Sequence, residues 1–261
     1  YLFSCKPWLN LHLLQEKAVK RVTYLDSDLW FCSDPSAVTR KIADSSVALT
    51  PHRSGKASFE DRFGLYNAGW ISVGGDEVGI SALRWWRERC IEAVPDYPVD
   101  GLYTDQKYLE RLPDLFENIA VVNQKGLNLA PWNVGSVENL EIREGKIHVD
   151  GDLLIAFHFH GLQRVAWRLF DPGYGLRGHL RVIREALYRP YLQELADCSS
   201  VFRDKTPLPQ AEAAPWGATR PRARWWKVAR QAKRLTTALL TARLMWSGET
   251  RRLTREGVGN F

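Results

Sequence analysis

The sequence predicts an α/β protein that is followed by a helical extension at the C-terminus. Apolar, β-branched runs that suit strands alternate with segments that begin on helix-start signals such as Ser33-Asp34-Pro35 and Asp76. This alternation is typical of α/β architectures, and 261 residues suffice for one sizeable core with appendages. The predicted strands are 22–25, 46–50, 66–73, 119–122 and 153–157, and the predicted helices are 7–17, 35–42, 76–90 and 177–197.

Several connecting segments carry expectations of their own. Residues 54–62 are polar and charged, and they predict a mobile surface loop. Thr104 precedes an acidic residue and predicts the N-cap of a helix. Residues 129–133 are too apolar for a solvated loop, and Glu144-Gly145 predicts the turn of a hairpin over residues 140–149.

The cysteines and the hydropathy indicate the compartment. The four cysteines are scattered without paired spacing, which argues against a disulfide framework or a zinc site and favours a reducing compartment. No apolar run approaches the length that spans a membrane, and no signal peptide is visible. We therefore expect a cytoplasmic protein.

The net charge of +6 is concentrated near the C-terminus. Residues 219–256 contain eleven Lys or Arg and two Glu, a local excess of nine, so the rest of the chain carries about −3. Apolar residues recur there at steps of three and four, as on one face of a helix, namely Trp225, Val228, Ala232, Leu235, Leu239, Ala242 and Trp246. We predict a domain over residues 1–200, a linker over 201–219, a basic amphipathic helix over 220–247 and a tail over 248–261.

The basic helix suits a peripheral position on an anionic membrane, at the inner face, with its tryptophans at the interface. Packing of the apolar stripe on the domain or on a second copy of the chain is the alternative. RNA is a third option for a basic segment, but the sequence has no recognised nucleic-acid motif, and we expect no nucleic-acid partner.

An apolar run over residues 21–25 leads directly into Asp26 and Asp28. Residues i and i+2 of an extended chain point to the same side, so two carboxylates would meet at the end of a buried strand. A cation between them relieves their repulsion, and carboxylate oxygens suit Mg²⁺ or Mn²⁺. A solvated capping turn is the alternative for so common a tripeptide, and the apolar runs on both sides favour the metal site.

His158 and His160 repeat this spacing after the last predicted strand, and Asn67 and Asp105-Gln106 also lie near strand ends. Ligands gather at the C-terminal edge of open α/β sheets. An imidazole with one or two carboxylates suits Mn²⁺ and leaves positions for diphosphate oxygens. A structural strand end is the alternative for the histidines. The sequence has no Gly-rich phosphate loop and no Gly-x-Ser-x-Gly elbow. A metal would therefore carry the electrostatic work, as when a nucleoside diphosphate leaves a sugar.

Five segments, in order, resemble the GT-A type nucleotide-sugar glycosyltransferases, which carry an Asp-x-Asp motif. They are Thr23-Tyr-Leu-Asp-Ser-Asp-Leu-Trp-Phe-Cys-Ser-Asp-Pro35, Tyr66-Asn-Ala-Gly-Trp70, Asp100-Gly-Leu-Tyr-Thr-Asp-Gln106, Leu129-Ala-Pro-Trp-Asn133 and His158-Phe-His-Gly161. The resemblance covers roughly residues 1–162 and implies a GT-A (Rossmann-like) mixed sheet flanked by helices. It also implies a first strand and a nucleotide-base loop ahead of residue 7, and we expect this segment to be missing from the chain.

The resemblance also implies a metal site. Asp28 would coordinate the metal, and Asp26 would bind either the ribose or the metal. His158 or His160 would complete the shell, and we favour His160 because Gly161 follows it. The implied cofactor is Mn²⁺ or Mg²⁺.

The remaining implied roles concern the substrates. Asn67 and Gln106 would hold the donor sugar, and Asp105 would be the catalytic carboxylate. Trp132 would stack on a sugar face, with core packing as the alternative, and Asn133 lies in the same predicted substrate-binding loop.

The implied activity is metal-dependent transfer of a sugar from a nucleotide-diphosphate donor to a glycan or lipid-linked acceptor. Two alternatives stay open at this point. One is a sugar-phosphate nucleotidyltransferase of related architecture. The other is a non-catalytic protein that binds membranes or polyanions through its tail.

Overall fold

The computed structural model describes residues 3–17, 19–166, 169–172, 180–205 and 245–246. The contacts between Cα atoms divide the chain into two units, Tyr1–Phe159 and His160–Phe261. All but one of the predicted site residues belong to the first unit, and His160 is the first residue of the second.

A four-stranded sheet forms the centre of the first unit. Its strands lie in the order β1 (Arg21–Leu25), β4 (Tyr66–Gly74), β3 (Val47–Pro51) and β5 (Ile119–Val121). Strand β4 runs antiparallel to both of its neighbours, whereas β3 and β5 are parallel. The sheet is therefore mixed. With helices packed on it, this arrangement confirms the predicted α/β class.

Alternate side chains of the central strands enter two cores on opposite faces of the sheet. Ile71 and Val73 of β4 pack with buried residues of α1 (Cys5–Glu16) and α4 (Glu77–Glu92). Trp70, which points the other way, packs with Val38 of α2 (Ser36–Lys41) and with Ile155. The two-residue period of a strand thus accounts for β4, whose residues are buried almost throughout.

The helix starts follow their capping signals only in part. The Asp76 carboxylate accepts a hydrogen bond from the Gly79 N–H at 2.9 Å, which confirms its predicted N-cap role. Thr104 is not an N-cap, because it adopts a φ of 46° and its N–H donates to the Pro95 carbonyl. A 3₁₀ turn over Lys107–Arg111 begins only after Gln106.

Three further predictions differ from the structure. Strand β1 is half-buried or exposed rather than buried, because β4 is its only neighbour among the described residues. The predicted loop over 54–62 contains α3 (Ala57–Phe63). The predicted last strand is interrupted, and β9 (Ala156–His158) pairs with β2 (Leu29–Phe31) outside the central sheet.

The rest of the first unit is built from short elements. The predicted hairpin is confirmed, with Glu144 and Gly145 at positive φ in its turn. The remaining elements are α5 (Leu112–Leu115), a 3₁₀ turn (Val134–Ser136), β6 (Leu140–Arg143), β7 (Lys146–Val149) and β8 (Asp152–Leu153).

The second unit contains a small antiparallel sheet and a helical segment. The sheet is formed by β10 (Gln163–Ala166), β11 (Leu169–Asp171) and β12 (Met245–Trp246). The helical segment comprises α6 (Leu180–Val182), a π-helical stretch (Ile183–Tyr188) and α7 (Arg189–Lys205), so the predicted helix is present and extends further.

The C-terminal predictions fall mostly outside the described residues. The part of the predicted linker beyond residue 205, most of the basic helix over 220–247 and the tail over 248–261 are not described. Met245 and Trp246 pair with β11 as a strand, so at these two residues the predicted helix is wrong.

Gly126 allows a close backbone approach that positions the 126–133 segment. Its carbonyl accepts hydrogen bonds from the Ile155 and Ala156 N–H groups at 2.8 and 3.2 Å. A Cβ at this position would lie 1.9 Å from the Leu153 carbonyl oxygen, which belongs to the backbone and cannot rotate away. Only glycine fits here without moving the backbone of Leu153 and Leu154, which precede the strand that carries His158.

We predict that Gly126→Ala lowers the free energy of unfolding by about 2 kcal/mol or more, because it overpacks a buried backbone contact. Urea denaturation followed by circular dichroism measures this loss. Gly135→Ala is the matched control, since a Cβ there meets nothing within 4 Å. Equal stability of Gly126→Ala and Gly135→Ala would contradict the prediction.

Candidate metal and substrate site

The antiparallel direction of β4 brings the first two predicted site residues together. Leu25 at the end of β1 pairs with Trp70 in the middle of β4, so residues after β1 lie beside residues 67–69. The Asp26 N–H donates to the Gly69 carbonyl at 2.9 Å. Asp26 and Asn67 therefore share one edge of the sheet, although Asn67 is at the beginning of its strand and not at its end.

The pairing of β2 with β9 brings His158 to the same place. Leu29 lies opposite His158, and the Phe159 N–H donates to the Asp28 carbonyl at 2.8 Å. The His158 Nε2 atom is 3.0 Å from the nearer Asp28 carboxylate oxygen and 3.8 Å from an Asp26 oxygen. The predicted convergence of Asp28 and the histidine pair is present in the structure.

Three side chains at this point could hold a metal ion. Asp28, His158 and His160 each offer one ligand atom, and these atoms all lie within 4.8 Å of one another. His158 is buried, Asp28 is half-buried and His160 is exposed, so one side of the group is open to solvent. One oxygen and two nitrogen donors suit Mn²⁺ or a similar transition metal. Asp26 lies outside this group of three.

Gly69 provides the space in which these groups meet. A Cβ on Gly69 would lie 2.5 Å from His158 Cε1, 2.7 Å from Asn67 Oδ1 and 2.9 Å from Asp26 Oδ2. All three distances are shorter than real Cβ contacts, so a side chain here would force the polar groups apart. This lack of space explains why position 69 of the Tyr66–Trp70 segment is a glycine.

Lys6 joins two carboxylates of the site, and the sequence analysis missed it. Its ammonium group lies 3.3 Å from Asp26 Oδ1 and 3.5 Å from Asp105 Oδ2, and it donates to the Ala68 carbonyl. It also lies 5.0 Å from the centre of the Tyr24 ring. One local signal exists, because a lysine in the first turn of a helix opposes the helix dipole and needs another reason to be there.

Asp26 is held from two sides. The Tyr24 hydroxyl donates to Asp26 Oδ1 at 3.0 Å, and the same oxygen faces Lys6. Burial raises the pKa of the Tyr24 phenol, and the Asp26 carboxylate raises it further, so Tyr24 remains a hydrogen-bond donor. The other Asp26 oxygen is directed toward His158.

Asp105 is almost fully buried. Only 1% of its surface is exposed, and its carbonyl accepts a hydrogen bond from the Trp86 indole at 2.8 Å. Burial raises the pKa of the Asp105 carboxyl, and the positive charge of Lys6 opposes that rise. A buried carboxylate beside an ammonium group is an arrangement that functional sites commonly contain.

Buried amides connect the remaining predicted residues. The Asn67 side chain donates to Gln106 Oε1 and His52 Nε2, and its Oδ1 accepts from Asn128 and from the Gly69 N–H. Gln106 also accepts from the Ala68 N–H and donates to the Phe63 carbonyl. His52 and Asn128 belong to no sequence motif and were not predicted.

Trp132 and Asn133 lie beside this network. The Trp132 indole donates to the His52 carbonyl, and its ring lies 5.1 Å from the His158 ring at an angle of 77°. Asn133 donates to the His52 and Asn128 carbonyls and accepts from the Ala130 N–H. These bonds place Asn133 as a support of the loop, and its predicted contact with substrate stays a prediction.

Comparisons with known proteins add relatives without an assigned activity. The chain matches no model of a known protein family. It is 35% identical over 176 residues to the uncharacterized protein YfnF of Bacillus subtilis (strain 168), covering 64% of this chain and 58% of that protein. It is 30% identical over 202 residues to the uncharacterized protein YfnD of the same organism, covering 75% of this chain and 64% of that protein. The chain thus spans about six-tenths of the length of either relative.

A solved structure of another protein has a similar backbone. It is the galactosyltransferase LgtC in complex with donor and acceptor sugar analogues. The match covers 76% of this chain and 70% of LgtC, with 14% sequence identity and a TM-score of 0.43.

We predict that Asp105 makes the native state less stable as the pH rises. The native carboxyl keeps its proton to a higher pH than the unfolded one, so its contribution to the free energy of unfolding falls once the pH exceeds about 4. The Asp105→Asn variant has no carboxyl to ionise at this position, so its free energy of unfolding does not fall for this reason. Its stability relative to the wild type should therefore increase between about pH 4 and pH 7 in urea denaturation.

Lys6→Met provides a second comparison for the same experiment. It removes the charge that opposes the rise in the Asp105 pKa, so stability should fall more steeply with pH than in the wild type. Parallel stability curves for the wild type and Asp105→Asn would contradict the prediction.

Proposed function

We propose that this chain is the core of a metal-dependent glycosyltransferase of the GT-A type, which transfers a sugar from a nucleotide-diphosphate donor. The main support is that Asp28, His158 and His160 offer metal-ligand atoms to one point, although one aspartate lies 130 residues or more along the chain from the two histidines. Buried carboxylate, ammonium and amide groups beside this point suit the recognition of a sugar.

The arrangement of Asp28 and His158 fits a cation. A carboxylate oxygen faces an imidazole nitrogen at 3.0 Å, and the lone pairs of two such acceptors repel each other unless a proton or a cation lies between them. Mn²⁺ or Mg²⁺ bound there would act as a Lewis acid and neutralise charge on a departing diphosphate. In this role Asp28, His158 and His160 would hold the ion, and the exposed side at His160 would leave room for the phosphates.

The groups around Lys6 are proposed to bind the donor. Asp26, held by Tyr24 and Lys6, is available through its other oxygen to bind a ribose hydroxyl or the metal. Asn67 and Gln106 are fixed by the buried network. We propose that Gln106 contacts the donor sugar, and that Asn67, whose donors and acceptors are engaged in the network, holds Gln106 in place. A position set by several buried bonds requires little reorganisation when the sugar is bound.

Asp105 is the proposed catalytic carboxylate. It shares Lys6 with Asp26, so it lies on the side of the site where the donor sugar would be held. Lys6 favours its ionised form, and the ionised form can orient a hydroxyl or accept a proton from it. Trp132 is proposed to offer an aromatic surface to a sugar ring near His158.

The acceptor is proposed to be a glycan or a lipid-linked glycan. No helix among the described residues is both long enough and apolar enough to cross a membrane. The basic segment over residues 220–247 is the proposed element for peripheral attachment to an anionic membrane surface.

We predict that Asp28→Asn abolishes metal-dependent donor binding and lowers sugar transfer about a hundredfold or more, because it removes a charged ligand from the ion. The first measurement is a thermal-shift screen of nucleoside diphosphates with and without Mn²⁺ on the full-length protein. A ligand that binds the native state raises its apparent stability. The second measurement is the release of nucleoside diphosphate from nucleotide sugars that carry the nucleoside identified in the screen.

The exposed Asp44→Asn variant is the control for the loss of one carboxylate, and it should behave as the wild type. Turnover by Asp28→Asn that needs no metal would contradict the proposed function. Release of pyrophosphate in place of a nucleoside diphosphate would instead identify a nucleotidyltransferase.

A further inference from the structure

We propose that Asn128, Asn67 and His52 are positioning residues that fix the proton of His158 on Nδ1, so that Nε2 faces Asp28 as an acceptor. These side chains form a directed chain of buried hydrogen bonds, which we call the amide relay. The proposed metal gives the relay its purpose, so the inference rests on the proposed function. The proton position itself is a property of the metal-free protein.

Two backbone groups set the direction of the relay. The Gly64 carbonyl can only accept, and it lies 2.6 Å from His52 Nδ1, so His52 carries a proton on Nδ1. The Gly69 N–H can only donate, and it lies 3.0 Å from Asn67 Oδ1, so the oxygen of this amide points toward Gly69. The orientation of Asn67 therefore follows from the backbone.

The remaining hydrogen bonds of Asn67 and Gln106 agree with the orientation that the Gly64 and Gly69 backbone groups require. With its oxygen toward Gly69, Asn67 directs its NH₂ group toward His52 Nε2 at 3.4 Å and Gln106 Oε1 at 3.3 Å. The Gln106 oxygen also accepts from the Ala68 N–H, and its own NH₂ group donates to the Phe63 carbonyl at 2.8 Å. Four backbone groups thus require the same assignment.

Asn128 transfers this direction to His158. Its NH₂ group donates to Asn67 Oδ1 at 3.0 Å, which leaves its own oxygen toward His158 Nδ1 at 3.1 Å. An amide oxygen can only accept, so His158 Nδ1 must be the donor. In the neutral ring the other nitrogen, Nε2, then carries the lone pair, and this is the atom that lies 3.0 Å from Asp28.

Burial makes the assignment strict. Asn128 is 0% exposed, His158 1% and His52 2%, so solvent has little access to repair a mismatched donor or acceptor. Reversing any one amide would oppose two donors or two acceptors, and buried polar groups without partners are strongly unfavourable. Metal-binding histidines commonly donate their second ring N–H to a neighbouring acceptor, and that contact orients the ligand.

The residue type at position 128 suits this role. Asn128 has a φ of 58°, a left-handed conformation that asparagine tolerates better than most residues. Its carbonyl accepts a hydrogen bond from the Asn133 side chain, which fixes the backbone from which the amide extends. Asn133 thereby supports Asn128 and has no direct part in the contact with His158.

The first test reads the proton position in the metal-free protein. Nitrogen-15 NMR of protein labelled at its six histidines distinguishes the two neutral forms of the ring, and His158 is identified by its loss in His158→Gln. At a pH where the ring is neutral, we expect the Nδ1–H form in the wild type, because the Asn128 oxygen is fully buried and needs the proton, whereas solvent reaches the half-buried Asp28 carboxylate. Asn128→Gly, which tolerates the same φ, should give a mixture of forms. Asn128→Asp should retain the Nδ1–H form, because a carboxylate still accepts from Nδ1.

The second test uses Mn²⁺ alone, with its dissociation constant measured by electron paramagnetic resonance. Asn128→Gly should weaken Mn²⁺ binding about tenfold or more, whereas Asn128→Asp should stay within about threefold of the wild type. Both variants lose the bond to Asn67 and both should lose stability. The difference between them therefore reports on His158 and not on folding. The exposed Asn123→Gly and Asn123→Asp variants are the matched controls.

Two outcomes would overturn the inference. One is a wild-type His158 in the Nε2–H form, and the other is an Asn128→Gly variant with the proton position and the Mn²⁺ affinity of the wild type. A wild type that has the Nδ1–H form but binds no Mn²⁺ would refute the proposed function and leave the relay confirmed by its proton position.

Discussion

The repulsion between acidic groups at one edge of the central sheet is the constraint on which the site depends. Asp26 and Asp28 come from one turn and Asp105 from a distant segment, and Asp105 is almost completely removed from water. Lys6 compensates Asp26 and Asp105 with a charge that belongs to the chain itself. Asp28 faces the His158 ring on the other side. The negative charge is thus compensated beside Lys6, whereas the position between Asp28 and His158 suits a cation.

The backbone brings these groups together by close approach. Strand β4 runs against β1, which places residues 67–69 beside Asp26, and the missing side chain of Gly69 leaves the volume that His158 and Asp26 occupy. Gly126 likewise lets the backbone of the segment that carries Asn128 approach the Leu153 carbonyl closely. At both positions a glycine is needed because a side chain has no space, and not because the backbone adopts a positive φ. The site therefore depends on backbone packing as much as on its charged groups.

Much of this arrangement was predictable from local patterns. The spacing of Asp26 and Asp28 after an apolar run, and of His158 and His160 after another, predicted two halves of one metal site, and the structure brings Asp28 and both histidines together. The strand order was less accessible, because the antiparallel direction of β4 and the pairing of β9 with β2 are long-range contacts. Lys6, His52 and Asn128 belong to no motif, since only the folded chain places them beside residues distant in sequence.

The buried amides explain how a site with so many polar groups can be rigid. Each amide in the relay satisfies its neighbours only in one orientation, and backbone groups fix His52 and Asn67, so the network has one low-energy arrangement. Asp105 has the opposite effect on stability, because burial opposes its charge. Such a cost is expected where a charge must be held away from water in a fixed position, since a preformed electrostatic environment needs no reorganisation when the reaction occurs. The amides keep the donor and acceptor atoms in place, and Lys6 offsets part of the cost of burying the Asp105 charge within the same rigid frame.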